Sequence, residues 1–411
     1  MFDTMREDAG YIISRSIEAV LPDESVRRAL SGRRFPGRVI PVAVGKAAWQ
    51  MARAAHDALG GRLDPRIVIT KYGHVLSPIP GMVCREAGHP VPDNNSFAAS
   101  REALALTEGL SDTDTVLFLL SGGGSALFEL PLVSGEVLRD VTEQLLACGA
   151  DITEINTVRK RLSAVKGGRF AEHCAPAKVL SVILSDIVGD PVDMIASGPA
   201  YPDSSTCAEA LAVAEKYSLR LPESARAHLK RETPKALSNI ETVVGGSVRE
   251  LCAAAAAAAA ALGYEPTILT DSLSCEAKDA GARLGRLARN HARDGKALCF
   301  IAGGETVVRI TGKGKGGRNQ ELALAAAEEI TALDNVLVFS LGSDGTDGPT
   351  DAAGGITDGG TKEALLKRGL SIRDVLGEND AYTALGAIGG LLMTGPTGTN
   401  VNDVSAALIR P

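Results

Sequence analysis

Short apolar runs alternate along this chain with alanine-rich segments of helical length. The runs Val39–Val44, Thr115–Leu120 and 179–184 show no alternation of polar and apolar residues. A strand of this kind is expected to be buried on both faces, as in a parallel sheet covered by helices. The repeated order of strand and helix therefore predicts an α/β fold with a doubly wound parallel sheet.

A second series of strands and helices begins after the polar segment 231–239. Two of its predicted strands, 297–302 and 306–310, are separated only by a short segment that contains Gly303 and Gly304. This spacing predicts a hairpin and hence a mixed second sheet. Because a chain of 411 residues exceeds the size of a single core, we expect two domains, 1–235 and 236–411.

Charge and cysteine content limit the partners and the location that we expect. The 43 Lys and Arg residues against 50 Asp and Glu residues leave a net charge of −7, which argues against general nucleic-acid binding. The seven cysteines form no CxxC pair, so we expect small buried side chains rather than disulfides or metal ligands. Without a signal-peptide pattern or a membrane-spanning run, the chain is predicted to be cytoplasmic and to have no membrane partner.

The segment 311–321 combines four glycines with the cations Lys313, Lys315 and Arg318, just before an alanine-rich helix. Glycines let backbone N–H groups approach an anion, and a helix N-terminus adds partial positive charge. The segment therefore predicts a phosphate cradle. It also contains the pattern G-x-G-x-x-G, so a dehydrogenase is an alternative. The interleaved lysines and the absence of an acidic residue at the end of the next strand make that match weak.

Two loops that follow predicted strands in the first half are further candidates, because α/β folds bind ligands at the carboxyl ends of strands. Gly45 and Lys46 follow the first strand. A lysine at a helix start opposes the helix dipole, which favours a role in phosphate binding or catalysis over a solvated side chain. The second loop has more glycines and serines than a turn needs and indicates an anion site. Its members are Ser121, Gly122, Gly123, Gly124 and Ser125.

Several carboxylates in strand-end loops leave two interpretations open. Asp186 and Asp190 have the oxygen chemistry of Mg²⁺ ligands, but aspartates also cap helices and stabilise turns. The same choice applies to Asp344, Asp347 and Asp351, which lie in a loop rich in glycine.

Other charged residues also leave alternatives. Glu305 is a candidate at a strand end, or else an exposed hairpin residue. A cluster of cations either binds an acidic substrate or forms a solvated helix face. Its members are Arg159, Lys160, Arg161 and Lys166. His74 and His89 are interpreted as structural loop residues.

Separated motifs along nearly the whole chain together resemble the class II glycerate 2-kinase family, whose C-terminal part is the MOFRL domain. The motifs are 44–48 (Val-Gly-Lys-Ala-Ala), 88–93 (Gly-His-Pro-Val-Pro-Asp), 120–127 (Leu-Ser-Gly-Gly-Gly-Ser-Ala-Leu), 156–160 (Asn-Thr-Val-Arg-Lys), 185–191 (Ser-Asp-Ile-Val-Gly-Asp-Pro), 197–199 (Ser-Gly-Pro), 303–306 (Gly-Gly-Glu-Thr), 316–322 (Gly-Gly-Arg-Asn-Gln-Glu-Leu) and 395–403 (Gly-Pro-Thr-Gly-Thr-Asn-Val-Asn-Asp). Ala200 stands where a hydroxyl residue is expected.

The resemblance implies two α/β domains, the first Rossmann-like, with the active site in the cleft between them. It implies ATP-dependent phosphorylation of D-glycerate at the 2-hydroxyl, with Mg²⁺. Some members of the family are labelled hydroxypyruvate reductases, so an NAD(P)H-dependent reductase is the main alternative. A non-catalytic regulator that binds sugar phosphates is a further one. A homodimer is a possible assembly.

The kinase hypothesis gives each candidate a role. The catalytic cations implied by the resemblance are Lys46 and Arg318. The metal ligands are Asp186 and Asp190, with Asp344 behind them. Substrate and phosphate binding is assigned to Gly45, Ser121, Gly122, Gly123, Gly124, Ser125, Arg159, Glu305, Lys313, Lys315 and Asn319.

Overall fold

The computed structural model of the chain describes residues 2–60, 63, 66–185 and 192–411. Asp186 and Asp190 lie outside the described residues, so their role as metal ligands stays a prediction. Contacts divide the chain into two compact units. Of the described residues, the first unit holds those in 22–184 and 192–245, and the second unit holds 2–21, 185 and 246–411. The predicted domains 1–235 and 236–411 differ from these units at the N-terminus and by about ten residues at the boundary.

The helices of the described chain are α1 (Phe2–Ala19), α2 (Pro22–Leu30), α3 (Ala48–Leu59), α4 (Asn94–Leu106), α5 (Gly124–Leu127), α6 (Gly135–Ala147), α7 (Ile152–Arg161), α8 (Arg169–Cys174), α9 (Cys207–Lys216), α10 (Glu223–Leu229), α11 (Val248–Ala261), α12 (Ala277–His291), α13 (Arg318–Glu329), α14 (Thr361–Leu366), α15 (Ile372–Gly377) and α16 (Ala381–Ala387). The strands are β1 (Val39–Val44), β2 (Arg66–Lys71), β3 (Met82–Ala87), β4 (Thr115–Leu120), β5 (Lys178–Leu184), β6 (Ile240–Gly246), β7 (Glu265–Leu273), β8 (Leu298–Gly304), β9 (Val336–Gly342), β10 (Gly354–Asp358), β11 (Leu391–Leu392) and β12 (Asp403–Ile409).

The strands of the first unit form one sheet in the order β3-β2-β1-β4-β5-β6. β1 pairs in parallel with β2 and β4, and the pairs β2–β3 and β4–β5 are also parallel. This is the strand order of a dinucleotide-binding doubly wound sheet. The predicted Rossmann-like fold is therefore confirmed. The strand order reverses between β1 and β4, so the crevice of this sheet lies beyond their carboxyl ends.

The two central strands are buried on both faces, as their sequences predict. Along β4, the side chains of Val116, Phe118 and Leu120 belong to one hydrophobic cluster, and those of Leu117 and Leu119 belong to another. Apolar residues at every position are required because helices cover both faces of the sheet.

The second sheet has the order β11-β10-β9-β12-β8-β7 and is mixed, as predicted. The C-terminal strand β12 lies between β8 and β9 and is antiparallel to both, whereas β7 and β8 are parallel. The predicted hairpin is wrong. Residues 306–310 form no strand, and Ile310 is exposed. At Gly304, φ is +148° and an added Cβ would lie 2.3 Å from the Leu273 backbone, so the chain leaves the sheet at that glycine.

Helix α1 belongs to the second unit because its apolar face packs on that unit's core. Its side chains Met5 and Ile12 lie in the same hydrophobic cluster as Leu251 and Ala255 of the alanine-rich helix α11. The sequence analysis placed this segment in the first predicted domain, 1–235. Packing instead groups it with a helix more than 200 residues away.

The expectation that the cysteines are buried side chains is met only in part. Cys174, Cys252 and Cys299 are buried free thiols, whereas Cys148 is exposed. Within the described ranges, none of the helices has both the length and the apolar character that a membrane crossing requires.

Candidate active site

The loops after β1 and β4 meet at the carboxyl ends of these strands. Lys46 N donates to the carbonyl of Gly122 at 2.9 Å, and the Ser121 hydroxyl accepts from Ala47 N at 3.0 Å. Gly45 has φ +122°, and an added Cβ would lie 2.2 Å from Ser121 Oγ, so only glycine permits this approach. The structure thus brings together two loops that the sequence analysis singled out separately.

His89 lies at the same place, which the sequence analysis did not anticipate. A Cβ built on Gly123 would lie 3.1 Å from His89 Nε2 and 3.3 Å from Lys46 Cγ. Burial, followed by the positive charges of Lys46 and Lys71, lowers the pKa of the His89 imidazole. This ring is therefore neutral at neutral pH. Only the parallel order of the strands brings His89, which follows β3, to the end of β1.

A chain of polar side chains backs the second loop. Ser125 Oγ lies 3.2 Å from Ser197 Oγ, and the Ser197 hydroxyl donates to Asn156 Oδ1 at 2.8 Å. Ser197 has φ 62° and the preceding Ala196 has φ 51°. Non-glycine residues with left-handed dihedrals cost about 1–3 kcal/mol each and concentrate at functional sites. Ser197 and Asn156 were not predicted as site residues, although both lie in motifs of the family.

The cation cluster in α7 and the segment after it is not a solvated helix face. The side chains of Lys160, Arg161 and Lys166 are at most 3% exposed, and that of Arg159 is 13% exposed. Lys160 Nζ pairs with Asp203 at 3.1 Å. The other interpretation, that the cluster binds an acidic substrate, stays a prediction.

Two members of the cluster hold the loop that contains Ser125. Lys166 Nζ donates to the carbonyls of Ser125 and Phe128 at 2.8 and 2.9 Å and lies 3.3 Å from Glu129 Oε2. Arg159 Nη2 donates to the same Ser125 carbonyl at 3.2 Å. Burial, partly opposed by the charge of Glu129, lowers the pKa of Lys166 to about 8. Lys166 is therefore still charged at neutral pH.

In the second unit, Arg318 is the first residue of α13 and is held between two carboxylates. Its Nε and Nη2 donate to the two oxygens of Asp403 at 2.6 and 2.9 Å, and its Nη1 donates to Glu305 at 2.7 Å. Burial alone lowers the pKa of this guanidinium, but Asp403 and Glu305 outweigh burial and raise it. Arg318 is thus a permanent cation in a fixed orientation, and a third of its side chain is exposed.

The predicted phosphate cradle at 311–321 needs correction, because acceptors of the chain itself occupy many of its backbone N–H groups. Asp347 caps α13 by accepting from the backbone of Asn319 at 3.1 Å and of Gln320 at 2.9 Å. Other donors of the segment bond to the loop 378–380. These bonds are Thr311 N and Gly312 N to Asn379 Oδ1, Gly314 N to the Glu378 carbonyl and Lys315 N to Asp380 Oδ1.

The glycines of this segment serve close packing. A Cβ on Gly312 would lie 2.3 Å from the Glu378 backbone, and one on Gly317 would lie 2.2 Å from Asp347 Cγ. Lys313 and Lys315 are exposed, and Lys315 Nζ lies 4.3 Å from the centre of the Tyr382 ring. Their role in phosphate binding stays a prediction that depends on their side chains rather than on backbone donors.

Asp347 provides a prediction on stability. Its burial, only partly opposed by the capping bonds from Gln320 and Asn319, raises its pKa to about 6 from 3.8. The folded state therefore binds a proton more tightly than the unfolded state, and this contribution to stability is lost as pH rises from about 4 to about 6. We expect the free energy of unfolding of the wild type, minus that of Asp347→Asn, to fall by about 2–3 kcal/mol between about pH 4 and pH 7. Urea unfolding at both pH values measures the difference, and a pH-independent difference would contradict the prediction.

Among the described residues, no group of three or more His, Cys, Asp or Glu side chains could hold a metal ion. Asp344 forms an Asx turn, since its Oδ1 accepts from Thr346 N at 2.9 Å. The carboxylates of Asp344 and Asp403 both approach Gly342, where an added Cβ would lie 3.3 and 3.4 Å from their Oδ1 atoms. Mg²⁺ in phosphotransferases often uses one or two carboxylates together with phosphate oxygens and water. Both oxygens of Asp403 already accept from Arg318, so of these two carboxylates Asp344 fits such a site better.

Comparisons with known proteins match the chain over its whole length. Residues 8–230 match the family described as a domain of unknown function, DUF4147, and residues 298–403 match the MOFRL family. The D-glycerate 2-kinase of Thermotoga maritima is 51% identical over 100% of both chains. A crystal structure of glycerate kinase from the same organism superposes with a TM-score of 0.95, covering 99% of this chain and 100% of that one. A putative hydroxypyruvate reductase of Agrobacterium vitis is 41% identical over 91% of this chain and 87% of its own length.

The two family matches show that the chain is an α/β protein in which a DUF4147 domain is followed by a MOFRL domain. The chain belongs to the glycerate 2-kinase family, as the resemblance in its motifs implied.

Proposed function

We propose that this protein is an ATP-dependent D-glycerate 2-kinase, which transfers the γ-phosphoryl group of ATP to the 2-hydroxyl of D-glycerate and releases ADP and 2-phosphoglycerate. The observation that carries the proposal is the identity of 51% to the D-glycerate 2-kinase of Thermotoga maritima across both complete chains. That match includes both structural units and the loops that contain Lys46 and Arg318.

Lys46 and Arg318 are the proposed catalytic cations. Phosphoryl transfer passes through a loose transition state in which charge spreads over the phosphoryl oxygens, so fixed positive charge contributes most of the catalysis. Arg318 suits this role because Asp403 and Glu305 hold its guanidinium in place while part of it stays exposed.

Mg²⁺, when bound, would neutralise charge on the ATP phosphates. Of the predicted metal ligands, Asp344 is described. Asp186 and Asp190 complete the proposed set. We also propose a cytoplasmic location, because the reaction uses ATP.

We propose a homodimer as the assembly, and light scattering of the purified protein tests this.

The NAD(P)H-dependent reductase is the weaker alternative. A dinucleotide would place its pyrophosphate at the N-terminus of the helix after the G-x-G-x-x-G pattern. Here that helix is α13, and Asp347 already accepts from its Asn319 and Gln320 N–H groups. The pyrophosphate of a dinucleotide would therefore have to displace the Asp347 carboxylate from these N–H groups.

An assay with purified protein, ATP, Mg²⁺ and D-glycerate tests the proposal. We expect ADP and 2-phosphoglycerate in equal amounts, with the two phosphoglycerate isomers separated by chromatography. If no ADP forms, the kinase proposal fails, whereas 3-phosphoglycerate as product would overturn the position of transfer. Oxidation of NADH or NADPH that depends on hydroxypyruvate would support the reductase instead.

A double-mutant cycle tests whether both cations act on one transition state. We expect Lys46→Ala and Arg318→Ala each to lower kcat by about 10²–10³-fold, the effect of losing one charged stabiliser. Residues that act as a unit have non-additive effects, so the double variant should lose clearly less than the product of the two factors. Steady-state kinetics measures all four proteins. Multiplicative losses would indicate independent roles for the two residues.

A further inference from the structure

Ser125 is held at both its carbonyl and its hydroxyl. The carbonyl accepts from two largely buried cations, Lys166 at 2.8 Å and Arg159 at 3.2 Å. The hydroxyl lies 3.2 Å from Ser197 Oγ. The residue is nevertheless partly exposed, and it stands just beyond the carboxyl end of β4, at the crevice of the first sheet. A partly exposed hydroxyl with this much support is suited to contact a ligand.

The hydrogen bonds determine which partner the Ser125 hydroxyl can take. Ser197 has one hydroxyl hydrogen, and it donates this hydrogen to Asn156 Oδ1 at 2.8 Å. The amide nitrogen of Asn156 points instead to Met194 Sδ at 3.9 Å. The bond between the two serines must therefore use the hydrogen of Ser125. The exposed side of Ser125 Oγ then offers only lone pairs, so it can accept a hydrogen bond but cannot donate one.

We propose that Ser125 accepts a hydrogen bond from the 3-hydroxyl of glycerate and thereby determines specificity, with Ser197 and Asn156 as positioning residues. This inference rests on the proposed kinase function. A carboxylate has no hydrogen to donate, so it does not suit the side chain of Ser125. The anion binding predicted for this loop would use its backbone N–H groups instead and stays a prediction. Glycerate has two hydroxyls, and in the proposed reaction the 2-hydroxyl meets the phosphoryl group near Lys46. Lys46 lies beside Gly123, since a Cβ added to that glycine would be 3.3 Å from Lys46 Cγ. Ser125 is two residues further along the loop, so its hydroxyl is available to contact the 3-hydroxyl.

D-lactate is the matched probe, because it retains the carboxylate and the 2-hydroxyl of D-glycerate but lacks the 3-hydroxyl. A site that hydrogen-bonds a substrate hydroxyl discriminates strongly against the analogue without it. We expect Ser125→Ala to lower kcat/KM for D-glycerate by about 10–100-fold, the loss of one buried hydrogen bond, and to change that for D-lactate by less than about threefold. The inhibition constant of D-lactate against D-glycerate is also measured. The preference of each protein for D-glycerate over D-lactate is then defined even when turnover of D-lactate is slow.

The outcomes separate this inference from the proposed function. A wild type without D-glycerate turnover would overturn both. An active wild type whose Ser125→Ala variant loses the same factor with both ligands would overturn this inference alone, because Ser125 would then contact a group that the two ligands share.

Two further variants test the direction of the hydrogen bonds. Asn156→Asp keeps an acceptor for Ser197 and removes the amide donor, so the preference for D-glycerate should survive even if both activities fall. Ser197→Ala should lower the preference, since the Ser125 hydrogen then lacks its partner and can turn towards the ligand. Loss of the preference in Asn156→Asp, with its retention in Ser197→Ala, would overturn the assignment. Circular dichroism and Tm of each variant verify that it is folded.

Discussion

Replacing Arg318 by alanine is expected to lower kcat for phosphoryl transfer to D-glycerate by about 10²–10³-fold, because the loss of one group that stabilises the transition-state charge costs about this much in related reactions. The structure gives a reason to expect a large effect from this arginine in particular. Asp403 binds it through both carboxylate oxygens and Glu305 binds its third nitrogen, so the cation is oriented before the substrate arrives. Initial rates at saturating ATP and D-glycerate measure the change.

Two controls separate catalysis from stability. Arg318→Lys keeps the charge but cannot form the bidentate pair, so an intermediate activity is expected. Arg373→Ala removes an exposed arginine of the same unit and should leave kcat unchanged. Because Arg318→Ala leaves Asp403 buried without its partner, Tm must be measured alongside the rate. A folded Arg318→Ala protein with near-normal kcat would remove Arg318 from the proposed mechanism.

The largest effect on stability is expected for Lys166→Met. The side chains of Lys166 and Glu129 are both 0% exposed and lie 3.3 Å apart. Removing one member of a buried ion pair typically costs about 3–5 kcal/mol. Arg159 Nη2 remains 3.5 Å from Glu129 Oε2 in this variant, so the Glu129 charge keeps one more distant partner and we expect the lower part of that range. Lys166→Met also removes the donor to the Ser125 and Phe128 carbonyls. Urea unfolding of the wild type and the variant gives the difference in the free energy of unfolding.

Adding Glu129→Leu to Lys166→Met should restore part of the lost stability, since a buried ion pair can often be replaced by apolar side chains without loss. Lys230→Met, at an exposed position of the same unit, should change the free energy of unfolding by less than about 0.5 kcal/mol. A Lys166→Met variant within about 1 kcal/mol of the wild type would show that the buried charge is compensated by other groups.

The strands that were predicted most accurately are those that are buried on both faces. β1 and β4 agree residue for residue with the predicted runs, because burial on both faces demands apolar residues throughout. The predicted strand 306–310 failed because its apolar residues suggested burial, whereas the backbone leaves the sheet at Gly304. β12 was not predicted, although it occupies the place beside β8 that the hairpin would have filled.

In the candidate site, too, some residues could be predicted from the sequence and others could not. Lys46 and Arg318 stand out locally, since each is a cation beside glycines at a helix start. Their partners carry no comparable signal in the sequence. His89 comes to Lys46 through the order of parallel strands, and Asp403 comes to Arg318 from 85 residues away.

Residue order by itself determined the α/β class, the family and the loops that hold the proposed catalytic cations. These properties depend on burial patterns and glycine positions that lie within short windows of the chain. Only the tertiary structure decided that Asp347 caps α13, that buried cations hold the Ser125 loop and that the hydroxyls of Ser125 and Ser197 lie within hydrogen-bond distance. Each of those contacts joins residues 28 to 72 positions apart, and which donor meets which acceptor depends on how whole elements pack.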